Sequence, residues 1–254
     1  MIEINNVCFS YDQEVLKDIN INIERGKFYT ILGPNGSGKT TLLRILSKSL
    51  NINKGEIFID EKDLSQIKSK VLAKEMSVVL QSTEIEFDFS VQDIVLMGRT
   101  PHIPRFSSES EKDMEIAKDA MKMTNTWELR NNSINTLSGG ERQRAVVARA
   151  IAQETGIILL DEPISHLDIH QQIKIMNQLK QLNKSKNITI IAVLHDLNIA
   201  AAYGDHMILM HDCGVYKDGI PEEVLTEDII RAAYGLEVYI TKNPKTGKTF
   251  VMPF

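Results

Sequence analysis

The sequence reads as an α/β protein: a mostly parallel sheet flanked by helices, with an N-terminal antiparallel β region and a small helical subdomain. Three observations lead there. The apolar run 157–160 (IILL) is continuous, and 188–194 is broken only by Thr189, as strands buried on both faces require. Helical patterns separate such runs, and strands alternating with helices build parallel sheets. The first residues alternate instead, Ile2/Ile4 and Ile19/Ile21/Ile23, which is the period of a half-buried strand.

The elements follow in order. Residues 28–32 continue the early strands, the glycine-rich loop 33–38 comes next, and 40–49 predicts a helix. Leu42, Leu43, Ile45 and Leu46 give that helix a broad buried face. Residues 55–60 (GEIFID) and 77–80 (SVVL) predict strands. From about Ser82 the texture changes: 84–105 carries prolines and aromatics, and 109–129 is strongly helical. Ile116, Ala120, Met123 and Trp127 recur there as an apolar stripe, read as the core of the small subdomain. A helix over 141–152, a strand over 157–160, a helix over 169–183 and a strand over 188–194 complete the alternation. The tail 238–254 reads as a hairpin turning at NPKTG. The expected organisation is one domain: an α/β core from 1–83 and 146–237, a helical subdomain over 84–145, and a C-terminal hairpin over 238–254.

Bulk properties set limits. At 254 residues, with 43% hydrophobic and 25% charged residues, the chain is an ordinary globular protein. Its net charge of −5 supplies no basic field for nucleic acid. Cys8 and Cys213 have no metal or redox spacing and suit a reducing compartment. No run reaches the roughly 18–20 apolar residues of a membrane span, and the start lacks a basic region followed by an apolar one. The chain is therefore expected in the cytosol, and at a membrane only if another protein holds it there.

Three constellations carry chemistry. The first is Gly33-Pro34-Asn35-Gly36-Ser37-Gly38-Lys39-Thr40-Thr41, a phosphate-loop pattern with a strand before it and a helix after it. Its backbone N–H groups suit phosphates, Lys39 suits the β- and γ-phosphates, and Thr40 suits magnesium. Gly247-Lys248-Thr249 repeats only the last three letters; Lys242 stands where the first glycine belongs, and no apolar helix follows. The second is 157–163 (IILLDEP), a strand ending in Asp161 and Glu162 at the sheet edge where ligands of such folds bind. Asp161 suits magnesium, and Glu162 suits proton removal from an attacking water. The third is 137–144 (LSGGERQR), a second glycine turn opening a helix, with the Ser138 hydroxyl beside Gly139 and Gly140.

With this third motif the chain resembles the ATP-binding cassette (ABC) family of transporter ATPases, for which an LSGGQ-type signature is highly specific. Glu141 stands in place of the commoner glutamine. The resemblance runs over nearly the whole chain and implies further roles. Gln81 matches the family's glutamine that touches magnesium and the attacking water. The segment 165–168 (SHLD), ending in Asp168, matches its D-loop. His195 matches the histidine that contacts the γ-phosphate, and Tyr11 matches the aromatic that stacks on adenine. The other five histidines receive no catalytic role. The resemblance also implies a head-to-tail dimer, with ATP between the phosphate loop of one subunit and the signature of the other. From the sequence alone, one helix and one strand separate the signature from Asp161, which leaves a single-subunit site open.

Function follows as an expectation: the ATPase subunit of an importer, using ATP and magnesium at the cytoplasmic face of the membrane. The stretches 89–106, SHLDI and 218–238 resemble importers of iron–siderophore, haem and cobalamin type, with iron–siderophore or haem favoured. The alternatives are cobalamin or another metal chelate, or a soluble ATPase acting on DNA or ribosomes. Against that last class, the chain has no long coiled-coil insertion and only one cassette. The expected partners are an integral membrane permease, a second copy of the chain and, indirectly, an extracytoplasmic substrate-binding protein, with no nucleic acid. The stretch 82–106, with Phe87, Phe89, Met97 and Arg99 expected at its surface, is the expected permease contact.

Overall fold

A computed structural model describes residues 1–80, 87–165 and 167–254. Strands β1 (Ile2–Ser10) and β2 (Glu14–Ile23) pair antiparallel, Ile2 against Ile23 and Ile4 against Ile21. β3 (Phe28–Leu32) leads into α1 (Lys39–Leu46). Then come β4 (Lys54–Ile59), β5 (Lys62–Asp63), α2 (Ser69–Glu75) and β6 (Met76–Val79). The helices α3 (Val91–Leu96), α4 (Glu111–Met123) and α5 (Gly139–Ala152) follow. After them come β7 (Ile157–Asp161), α6 (Ile169–Lys186), β8 (Thr189–Val193) and α7 (Leu197–Tyr203). The chain closes with β9 (His206–His211), β10 (Gly214–Gly219), α8 (Pro221–Val224), α9 (Glu227–Tyr234), β11 (Val238–Lys242) and β12 (Thr249–Pro253).

The main sheet has the order β10-β9-β3-β8-β7-β6, all parallel except β10; a smaller antiparallel sheet has the order β2-β1-β4-β5. β3, β7 and β8 are buried at every residue, which is why their sequences are apolar without alternation. Successive side chains still point to opposite faces. Ile158, Leu160, Ile190 and Ala192 pack into one core with α6 and α7. Ile157, Leu159, Ile191 and Val193 pack into another with α1 and the small sheet. Because β3, β8 and β7 are parallel neighbours, the segments leaving their C-terminal ends meet at one edge. Those segments are the phosphate loop, the histidine turn and the Asp161–Glu162 pair.

A third core joins α3, α4 and α5 through Val91, Ile94, Ala117, Met121, Ala145 and Ala148. α5 also sends Val146 and Ala150 into the main core, so one helix serves both. The helix expected over 109–129 stops at Met123. Thr124 turns its hydroxyl onto the Ala120 and Met121 carbonyls at 3.3 and 3.4 Å, and Asn125 takes φ 53°. Trp127 lies in a separate 3-10 turn and only borders the core, where Lys118 and Arg130 cover its ring at 5.3 and 4.5 Å. The buried face of α4 is Ala117, Ala120 and Met121, so the stripe drawn through Ile116 and Met123 follows its margin. The C-terminal hairpin forms as expected, Val238 facing Pro253 and Lys242 facing Thr249. β9, β10 and the helices α7 to α9 had no sequence prediction.

Arg99 corrects a second expectation. It is 5% exposed and holds Asp113 on α4 at 3.0 Å, the Ala152 carbonyl at 2.6 Å and Glu154 at 3.1 Å. It ties three elements together and is no surface contact. Phe87, Phe89 and Met97 of the same stretch are exposed, as are Arg105 and Phe106.

Candidate active site

The phosphate loop leaves β3 through Gly33 at φ 145°, where a Cβ would lie 2.1 Å from the Met210 carbonyl oxygen. Gly38 takes φ 96°, and a Cβ there would lie 2.5 Å from the Leu16 side chain. Both positions therefore exclude larger residues on conformation and on space. The loop wraps a lysine held in place by the protein itself. Lys39 is 5% exposed, and its ammonium donates to the Gly33 and Pro34 carbonyls at 2.9 and 2.7 Å. Burial lowers its pKa, with Glu162 and Asp161 pulling the other way. The Ser37 hydroxyl is buried with no hydrogen-bond partner among the described residues.

Asp161 ends β7, fully buried. Its Oδ1 accepts from the Thr40 hydroxyl at 3.1 Å, while its Oδ2 has no partner among the described residues. Burial raises its pKa, the Thr40 bond lowers it, and the Glu162 charge raises it again. A carboxylate so placed destabilises the ligand-free fold when ionised. Its raised pKa means that this cost is absent below the ordinary carboxylate range and is felt fully once pH has risen through the raised value. Asp161→Asn is therefore expected to raise the melting temperature at neutral pH by roughly 2–4 °C, the equivalent of about 1 kcal/mol. The gain should shrink as pH falls. A thermal melt at two pH values checks this, and a lower melting temperature for the variant at neutral pH would refute it.

Glu162 follows in the left-handed region at φ 51°, a backbone that costs a non-glycine residue about 1–2 kcal/mol. Its N–H donates to the Val193 carbonyl at 3.2 Å, and its carbonyl accepts from the Ser165 hydroxyl at 2.9 Å, which hold the turn. The strained turn delivers the carboxylate to His195, whose Nε2 lies 2.6 Å from Glu162 Oε1. A pocket of about 620 Å³ opens over this group, lined by Val15, Asn35, Gly36, Gly38, Lys39, Thr40, Thr41, Glu162 and His195. Asp161 borders it through Thr40.

The structure thus brings the phosphate loop, the acidic pair and His195 together. Other expected site residues stand apart. Tyr11, in the β1–β2 turn, is 54% exposed and meets Phe9 edge-on at 4.8 Å; Val15, next along that ribbon, is the residue that lines the pocket. Ser138, Gly139 and Gly140 open α5 and are not among the pocket's lining residues. The Glu141 N–H donates to the Ser138 hydroxyl at 3.3 Å, and the Ser138 N–H and hydroxyl donate to the Glu141 carboxylate at 2.9 and 2.7 Å. That reciprocal cap holds the Glu141 pKa down. Glutamine, the commoner residue there, would close the same cap. Asp168 is exposed and caps α6, accepting from the Gln171 N–H at 2.9 Å. Gln81 lies outside the described residues. Sequence reading missed Val15, which no motif marks, and Asp196, the N-cap of α7, whose position before a helical run was a usable signal.

Comparison with known proteins agrees with this geometry. The family model described as ABC transporter matches residues 16–165. The ferric enterobactin transport ATP-binding protein FepC of Escherichia coli is 39% identical over 239 residues, covering 94% of this chain and 88% of that protein. A chain of a proposed metal-chelate type ABC transporter, caught inward-facing, superposes with a TM-score of 0.85 at 30% identity, covering 100% of this chain and 97% of that one. An ATP-binding cassette solved as a dimer after hydrolysis, with ADP and Pi bound, superposes at 0.80 with 31% identity over 87% of this chain and 99% of that one. With a phosphate loop, an acidic pair and a histidine at one sheet edge and a signature turn outside the pocket, the chain belongs to the ABC transporter family, as an ATP-binding subunit with ATPase activity.

Proposed function

We propose that this chain energises the import of an iron–siderophore or haem complex, working as a pair of copies held by a permease at the cytoplasmic face of the membrane. The observation that carries the paired arrangement is the pocket itself. Its lining supplies Lys39, Thr40, Glu162 and His195 but no signature residue. Ser138, Gly139 and Gly140 are then available to close the pocket of a second copy, with the α5 N-terminus facing the γ-phosphate. Asp168 is assigned to the same junction. The relative in the dimeric, ADP-bound state supports this reading.

Within each half, Lys39 exchanges its two backbone carbonyls for phosphate oxygens. The N–H groups of Asn35 through Thr41 cradle the phosphates, and Tyr11 stacks on the adenine from its exposed turn. The donor set fits magnesium: the Oδ2 of buried Asp161, without a partner among the described residues, and the hydroxyl of Thr40 are hard oxygen ligands. Thr40, Asp161 and Gln81 would hold it, and it would supply neutralisation of phosphate charge. Glu162 takes a proton from the attacking water as that water's oxygen bonds to the γ-phosphorus and the bond to ADP breaks. His195 steadies the Glu162 carboxylate and faces the same phosphate.

The cargo reading rests on the siderophore relative and the metal-chelate structural neighbour. For the permease contact, a groove of about 480 Å³ lies between α2 and α5. Leu72, Met97, Gly98, Arg149 and Gln153 are among its lining residues, and the exposed part of the 87–106 stretch adjoins it. The substrate-binding protein acts on the far side of the permease and touches this chain only indirectly. A cross-linker at exposed Arg105 should capture a multi-span permease from native membranes, and loss of the chain should abolish iron–siderophore uptake. Sedimentation with ribosomes or DNA, and no membrane protein captured, would refute the transport reading. Loss of cobalamin uptake alone would reassign the cargo.

A further inference from the structure

The segment after β10 folds back onto the nucleotide site at two points. α9 delivers Tyr234 to the Gly33 backbone; burial pushes its pKa up to about 12. The hairpin of β11 and β12 makes the second contact. Asn198, in the first turn of α7, donates to the Val251 carbonyl at 3.0 Å and accepts from the Val251 N–H at 2.7 Å. Its amide thus fills the edge of β12 as an added strand residue would. The backbone N–H of Asn198 donates to Asp196 at 2.7 Å, and the same carboxylate accepts from the Ile199 N–H at 2.9 Å. Asp196 is the N-cap of α7 and directly follows His195.

The hairpin is a firm base, since Val238 and Val251 are 4% and 3% exposed in the main core. The histidine is not firm by itself. Its side chain is 49% exposed, and its Nε2 meets Glu162 and no other acid among the described residues. α7 spans only 7 residues, too short to fix its own direction. The orientation of the ring must therefore come from what holds the helix. From Val251 to His195 the path is a paired amide, a helix cap and one peptide bond.

We propose that Asn198 is a positioning residue for ATP hydrolysis, tying α7 to the C-terminal hairpin so that His195 stays aimed at Glu162. This rests on the assignment of His195 to the nucleotide. Tyr234, beside the start of the phosphate loop, brings the same segment against both halves of the site. Hydrolysis depends steeply on such aim, because displacement by a fraction of an ångström weakens contacts made in the transition state.

The test compares the full-length chain with His195→Ala, Asn198→Ala and the double variant. Single-turnover hydrolysis and ATP dissociation constants are measured, with melting curves as a folding check. Asn198→Ala should slow hydrolysis about tenfold while leaving ATP affinity within about twofold. In the His195→Ala background the same change should add no more than about twofold, since residues acting through one another are not additive. An equal slowing in both backgrounds would mean a general structural role and overturn the proposal, as would a wild-type rate in Asn198→Ala. A wild-type rate in His195→Ala would instead remove the assignment beneath it. If Asn198→Ala does not fold, Asn198→Asp, which retains the acceptor for the Val251 N–H, carries the same comparison.

Discussion

Glu162→Gln is expected to bind ATP as the natural chain does and to hydrolyse it roughly 10²–10⁴-fold more slowly. That range is equivalent to about 3–5 kcal/mol of transition-state stabilisation. The geometry gives the reason for so clean a separation. On the proposed reading Lys39, Thr40 and the phosphate loop meet the ligand without help from Glu162, and glutamine has the shape to keep the turn and the contact to His195. What it lacks is a basic oxygen to take a proton. ATP should then persist, and with it the closed pair of copies, read as a doubled mass in solution with ATP and as the single-chain mass after its removal. Turnover near wild type would take the general-base role away from Glu162. A loss of binding equal to the loss of rate would show that the carboxylate holds the ligand instead.

Arg99→Glu is expected to unfold the helical unit, whereas Arg105→Glu should leave stability unchanged. Arg99 is buried, with its guanidinium against Asp113, Glu154 and the Ala152 carbonyl. Asp113 has its pKa lowered to about 2, first by the Ser110 hydroxyl and backbone and then by Arg99. Reversal of the charge would bring three carboxylates together in place of an ion pair. Breaking a buried pair costs about 3–5 kcal/mol, a large part of the 5–15 kcal/mol that holds a typical domain folded. Melting curves and limited proteolysis of the two variants check this. A melting temperature for Arg99→Glu within about 2 °C of the natural chain would refute the structural role. Acid acts on the same joint: Asp113 contributes stability above the ordinary aspartate range, and it is lost as pH falls through about 2.

The chemistry legible without the fold is the chemistry that fits inside a few consecutive residues. A loop from Gly33 to Lys39 has its spacing, its strand and its helix within easy sight of one another. The same holds for the two acids that follow IILL and for the signature turn. Continuous apolar runs marked β7 and β8 because a strand buried on both faces has no polar side to show. The hairpin at the C-terminus was legible for a similar reason, since NPKTG is a local turn signal.

The rest depends on partners far apart in the chain, which packing alone brings together. Arg99 reads as a surface arginine until Asp113 and Glu154, 14 and 55 residues away, are folded around it. α4 stops at Met123 because Thr124 and Thr126 satisfy carbonyls that a longer helix would have used, an outcome propensity does not encode. The burial of Asp161 and the raised position of its titration exist only once β7 lies inside the sheet. The bond from Asn198 to Val251 spans 53 residues and has no sequence signal. Burial and pairing across the chain are properties of the packed sheet, and a residue's charge or polarity does not state which neighbour will meet it.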